Sequence, residues 1–219
     1  AGLLAEPPTS ELREVVFVDT TVPEYQALLG SIDKPNADIV LIDRSRDGID
    51  QIADYLDGRA DLDAIHIISH GSEGKLILSG QTYTAEALEQ QYAMDLARIG
   101  RSLTANGDIL LYGCDVAKGS AGERFIDKVS EMTGADIAAS IDKTGAVDLG
   151  GNWVLESSTG KIDASALISM MQQQWDYLLA SPPVDVGSST LHFNGASRTL
   201  VSGVDKAAGA VYKYSNVAT

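Results

Sequence analysis

Hydrophobic and polar residues change period several times along this chain. Short apolar runs bounded by Gly, Asp or Ser read as buried strands. They fall at residues 15–18, 38–42, 64–69, 109–112 and 136–140, with shorter β-prone pieces at 75–78 and 153–156. Between them the apolar positions recur at helical spacing. Pro23 opens a short helix ending near Leu29, where a proline costs nothing in the first turn. Residues 47–56 place Ile49, Ile52, Ala53 and Leu56 on one face and stop at Gly58. Thr84 can cap a long helix reaching about residue 105, with Leu88, Tyr92, Leu96, Ile99 and Leu103 in register. Residues 119–132 would bury Phe125, Ile126, Val129 and Met132 before Gly134 ends the helix. A last helix is expected over 164–179, with Leu167, Ile168, Met171, Trp175 and Leu178 along one side.

Strand and helix alternate, which predicts an α/β fold: a mostly parallel sheet built from crossover units, with helices on both faces. In such sheets ligands and chemistry collect at the carboxyl ends of the strands. Asp19, Asp43, His70 and Cys114 all fall at expected strand ends. This unit spans residues 14–180. Residues 1–13 read as a leader or linker, without the basic start and long apolar core of a signal peptide. Residues 181–189 read as a Ser/Pro/Gly linker, and 190–219 as the beginning of a β-rich domain.

Charge then narrows the function. A formal net charge of −15 over 219 residues opposes nucleic-acid binding, which needs a basic surface. No apolar stretch approaches a membrane span, so no membrane insertion is expected. The acidic residues are scattered, without an Asp-x-Asp-x-Asp loop, and no metal or cofactor is expected.

The candidate chemistry centres on Cys114, the one cysteine of the chain. It stands just beyond the apolar run 109–112, after Gly113 and ahead of a helix starting near Gly119. A thiol near a helix N-terminus tends towards a lower pKa, and the thiolate is the nucleophile. His70 stands just beyond the run 64–69 and precedes Gly71. The backbone N–H groups of Gly71 and Cys114 could together form an oxyanion hole. His66 lies inside a strand and reads as structural. Ser69 and Ser72 flank His70 without the Gly-x-Ser-x-Gly elbow of a serine hydrolase.

The strings HIISHGS (66–72) and ILLYGCDVA (109–117) resemble the His-Gly and Cys blocks of caspase-fold peptidases. Still more closely, HGSEGKL, LLYGCDVAKGSAGERFI, TGADIAAS and LGGNWVLE resemble a domain of unknown function found near the N-termini of giant bacterial surface proteins and adhesins. The resemblance covers about residues 14–180. It implies Cys114 as nucleophile, His70 as general acid/base, and Gly71 with Cys114 as oxyanion donors. It also implies a specificity pocket beside the loop 140–145, so Ser140, Asp142 and Asp19 are substrate-binding candidates. An acidic residue there would favour a basic residue before the scissile bond. Asp115 stands where the caspase signature carries arginine, so specificity for aspartate is not carried over.

Together these readings imply a cysteine endopeptidase module of a secreted or surface bacterial protein. Its partner would be a peptide or protein substrate, its own polypeptide included, with Arg198, Lys206 and Lys213 as conceivable cut sites. The competing expectation is a non-catalytic folding, retention or interaction module of an adhesin with the same fold.

Overall fold

The computed structural model describes residues 12–167 and 175–180. Its centre is a six-stranded sheet assembled from β1 (Glu14–Asp19), β2 (Asp38–Ile42), β3 (Leu62–Ile68), β7 (Leu103–Tyr112), β8 (Asp136–Ala139) and β9 (Ser157–Ser158). The spatial order is β2-β1-β3-β7-β8-β9, parallel except for the antiparallel edge pair β8–β9. A separate antiparallel sheet holds β4 (His70–Ser72), β5 (Lys75–Leu78) and β6 (Gln81–Thr84). The expected mostly parallel α/β architecture is the one observed.

Alternating side chains of the central strands feed two cores, because successive residues of a strand face opposite sides. Val15, Phe17, Ile65, Ile67, Ile109, Leu111 and Ile137 face one layer. That layer is made by α2 (Gly48–Leu56), α3 (Ala85–Gln91), α4 (Ala93–Arg101) and α5 (Gly119–Thr133). Val16, Val18, Ala64, Ile68, Leu110 and Tyr112 face the other. There α1 (Tyr25–Leu29) supplies Leu28, and Trp153, Leu167, Trp175 and Leu179 from the late chain complete the cover. Asp47 caps α2 by accepting from the Ile49 and Asp50 amides, and Thr84 caps α3 by accepting from Ala87.

Four expectations change. The helix expected from Thr84 to about 105 is two helices broken at Tyr92. The Tyr92 hydroxyl donates to Asp47 Oδ2 at 2.7 Å, and its ring packs edge-on against Tyr83. The second helix stops at Arg101, where Ser102 N and Oγ both donate to Ile99 O. Residues 103–107 then lengthen the cysteine strand instead, with Leu103 paired to Leu62. His70–Ser72, expected as an exit loop, is the short strand β4. The strand expected at 153–156 lies at 157–158, and Trp153 instead joins a chain of rings formed by Tyr112, Trp153, Trp175 and Tyr177.

The fourth change concerns the helix expected over 164–179. Residues 164–167 are not helical, and Leu178 and Ala180 form bridges to Gly145 and Gly71. Residues 168–174 of that expectation, the leader over 1–11, and the linker and β-rich segment over 181–219 lie outside the described residues. Among the described residues no helix is long and apolar enough to cross a membrane, and no group of His, Cys, Asp and Glu could hold a metal.

Candidate active site

The parallel pairing of β3 with β7 brings Ile68 beside Tyr112, so both strands leave the sheet at the same edge. Beyond that edge Ser69 N donates to Tyr112 O at 3.0 Å, and the two exits run on together. Glycine makes the approach possible. A Cβ on Gly71 would stand 2.7 Å from Cys114 O and 2.5 Å from Val116 Cγ2, closer than any real side chain tolerates. One on Gly113 would stand 3.2 Å from Gly71 N. The closeness sets the amides of Gly71 and Cys114 side by side.

Both amides donate to one oxygen. Gly71 N lies 2.9 Å and Cys114 N 3.2 Å from the carbonyl oxygen of Leu179. The next carbonyl along the chain, that of Ala180, lies 2.7 Å from His70 Nδ1. The other ring nitrogen, Nε2, lies 3.2 Å from Thr21 O. Carbonyls only accept, so the doubly protonated ring serves both and a neutral ring serves one. Two successive carbonyls of this segment, those of Leu179 and Ala180, thus face the Gly71 and Cys114 amides and the His70 ring in turn.

The residues before this peptide lie along the loop after β8 like an added strand. Leu179 N donates to Thr144 O at 2.9 Å, and Ala146 N donates to Tyr177 O at 2.8 Å. Gly145 adopts φ +134°, and a Cβ there would run into Tyr177 O and meet Leu178 Cα at 3.0 Å. Leu179 is fully buried in the apolar cluster that also contains Cys114, Tyr112, Ile68 and Trp175. Trp175 is fixed by its indole N–H, which donates to Pro23 O at 2.9 Å.

The thiol itself is engaged by Thr144. Thr144 N donates to Cys114 Sγ at 3.2 Å, and Sγ lies 3.5 Å from Thr144 O. Burial pushes the Cys114 thiol up to about 11, with the Thr144 amide pulling in the opposite direction. No hydrogen bond joins Cys114 to His70 among the described residues. The residue after the cysteine, Asp115, takes a left-handed φ of 58°. Its amide donates to Asp142 O at 2.7 Å and Ala117 N to Ser140 O at 2.9 Å, which ties the cysteine loop to the loop after β8.

The structure therefore brings His70, Gly71 and Cys114 to one place, around the successive carbonyls of Leu179 and Ala180. The other candidates act at a remove. Asp19 is fully buried, and its two oxygens accept from Thr21 N at 2.8 Å and Ser79 N at 2.9 Å. It holds the turn that offers Thr21 O to His70. Asp142 accepts from Asn152 Nδ2 and from Ser140 Oγ, so both Ser140 and Asp142 shape the loop beside the thiol. His66 is buried next to Glu14 within the sheet, and burial lowers its pKa. Thr144 and Gly145 lie in the loop 140–145 expected beside the site, whereas Thr21 and the 175–180 segment were not legible as parts of it. The signal for the last was the pair Gly145 and Gly151, both pressed against Leu178, which the helical spacing of 164–179 concealed.

Fold and site together define a parallel α/β domain with a histidine and a thiol at neighbouring strand ends. The chain belongs to the DUF4347 family, a domain of unknown function, whose model matches residues 15–179. None of the curated proteins compared with it matches the chain.

Proposed function

We propose that this domain is a cysteine endopeptidase module, with Cys114 as nucleophile and His70 as general acid/base. The observation that carries the reading is the convergence of the Gly71 and Cys114 amides on a single peptide carbonyl oxygen, at 2.9 and 3.2 Å. That is the arrangement acyl transfer needs, since charge develops on this oxygen as the carbonyl carbon is attacked. His70 supports it by facing the adjoining residue, its Nδ1 2.7 Å from Ala180 O, on the leaving-group side of the bond. Nε2–H donating to Thr21 O would orient the ring, and Nδ1, on giving up its 2.7 Å contact with Ala180 O, would carry the proton between sulfur and substrate. The resemblance to caspase-fold peptidases and to the N-terminal region of large bacterial surface proteins adds the context: a peptide substrate and an extracellular or cell-surface location.

A second reading, a non-catalytic module for folding, retention or interaction, is favoured by one observation. Burial holds the Cys114 thiol neutral, with its pKa near 11, and the chain's own segment fills the site. A peptidyl chloromethyl ketone separates the two. The peptidase reading expects alkylation of Cys114 that is lost in His70→Ala, whereas labelling unaffected by His70→Ala, or no labelling, supports the non-catalytic module.

A further inference from the structure

We infer that the Leu179–Ala180 bond is the cleavage site of this domain, so that residues 175–180 are its substrate in cis. The inference rests on the cysteine-peptidase reading and adds the bond and the specificity. The backbone contacts expected of a bound substrate are made by this segment. The Leu179 carbonyl is held by Gly71 N and Cys114 N, its amide by Thr144 O, and the carbonyl two residues earlier by Ala146 N. Gly145 leaves room for Tyr177 and Leu178.

The side chain before the bond is leucine, and it is fully buried among apolar groups. Asp19 is fully buried and engaged by two backbone amides, and Asp142 is engaged by Asn152 and Ser140, whereas the Leu179 side chain packs in the apolar cluster. On this inference the residue before the cut is apolar, in place of the basic Arg198, Lys206 and Lys213.

In the reaction the Cys114 thiol leaves Thr144 and its sulfur bonds to the Leu179 carbonyl carbon, while its proton passes to His70 Nδ1. The carbon–nitrogen bond to Ala180 breaks as His70 returns that proton to the Ala180 nitrogen, releasing a free amine. Water then attacks the thioester, giving the Leu179 carboxylate and restoring the thiol. Tethering supplies the substrate at high effective concentration.

The test follows the full 219-residue chain, with Cys114→Ala and Ala180→Pro beside it, by mass and N-terminal sequencing after incubation near neutral pH. Ala180 is exposed, so its replacement leaves the buried Leu179 in place. Wild type should yield, or be recovered as, a fragment beginning at Ala180, at least about 100-fold reduced in either variant. No fragment, or one beginning elsewhere, overturns the inference. A fluorogenic amide of Tyr-Leu-Leu, given to the same samples, separates the two failures. Cys114-dependent hydrolysis without an Ala180 fragment overturns the cis site alone, and absence of both overturns the peptidase reading too. If Ala180→Pro does not fold by circular dichroism, wild type against Cys114→Ala decides.

Discussion

Gly71 and Cys114, from the exits of two different strands, donate their amides to one carbonyl oxygen. Neither could do so unless residue 71 lacked a side chain, since a Cβ there falls 2.7 Å from Cys114 O. Gly71→Ala should therefore separate the two donors. Loss of one oxyanion donor lowers acyl-transfer rates about 10²–10³-fold. A drop of that order in peptide hydrolysis is expected, together with a lowered melting temperature because the Cβ meets the backbone of Gly113 and Cys114; unchanged hydrolysis would show that the amide pair has no role in catalysis.

The thiol offers a test in titration. Burial raises the Cys114 thiol from its ordinary 9.0 to about 11. Because the folded value lies above the unfolded one, the native state keeps its proton in the window between them. The stability it contributes is fully present below pH 9.0 and is lost as pH rises towards 11. Iodoacetamide should alkylate the native chain about 100-fold more slowly than the urea-unfolded chain at pH 8, two units being a hundredfold in thiolate. Equal rates would mean that Cys114 is open to solvent, against the contacts with Thr144.

Gly145 is predicted to be intolerant of side chains. Its φ of +134° is a conformation that L residues rarely adopt, and a Cβ would collide with Tyr177 and Leu178. Gly145→Val should cost about 1–3 kcal/mol by urea unfolding. It should also expose Trp175 and Tyr177, read as increased quenching of tryptophan fluorescence by acrylamide. A neutral substitution would argue that the 175–180 segment does not rest there.

Acid stability should depend on a buried group far from the thiol. His66 is buried in β3, and burial lowers its pKa below 6.5. The unfolded chain takes up this proton first, so the stability is present above pH 6.5 and falls as pH drops through that value towards the folded one. Burial works to raise the Glu14 carboxyl, but the hydrogen bonds and charges of His66 and Lys34 outweigh it and the net shift is downward. Its contribution is present above pH 4.5 and is lost below. Chemical denaturation between pH 7 and 4 should show progressive loss. In His66→Gln the part near pH 6.5 should flatten, and an unchanged profile would remove His66 as its source.

The sheet was legible because its strands are β-branched apolar runs between polar stops, and burial on both faces allows little else at 109–112 or 64–68. The strand-end placement of His70 and Cys114 followed from the same pattern. The chemistry around them was less visible, since it is mostly backbone: Thr21 O, Thr144 N and O, and the amides of Gly71 and Cys114 carry no residue-type signature. Residues 164–179 misled most. Their helical spacing of Leu167, Trp175 and Leu178 reflects burial against the second core, with Trp175 anchored on Pro23 and Leu178 on Gly145. Over residues 177–180 the local helix pattern yields to edge groups of the loop after β8 that lie more than 25 residues away in sequence, and no window of sequence reports such a pairing.

The most direct measurement is the intact mass of the purified chain through a prolonged incubation, with Cys114→Ala treated identically. The account predicts that the wild-type mass is replaced by two smaller ones whose sum exceeds it by one water, while the variant keeps its single mass. A wild-type chain that stays whole alongside the variant, and hydrolyses no added peptide, would contradict it.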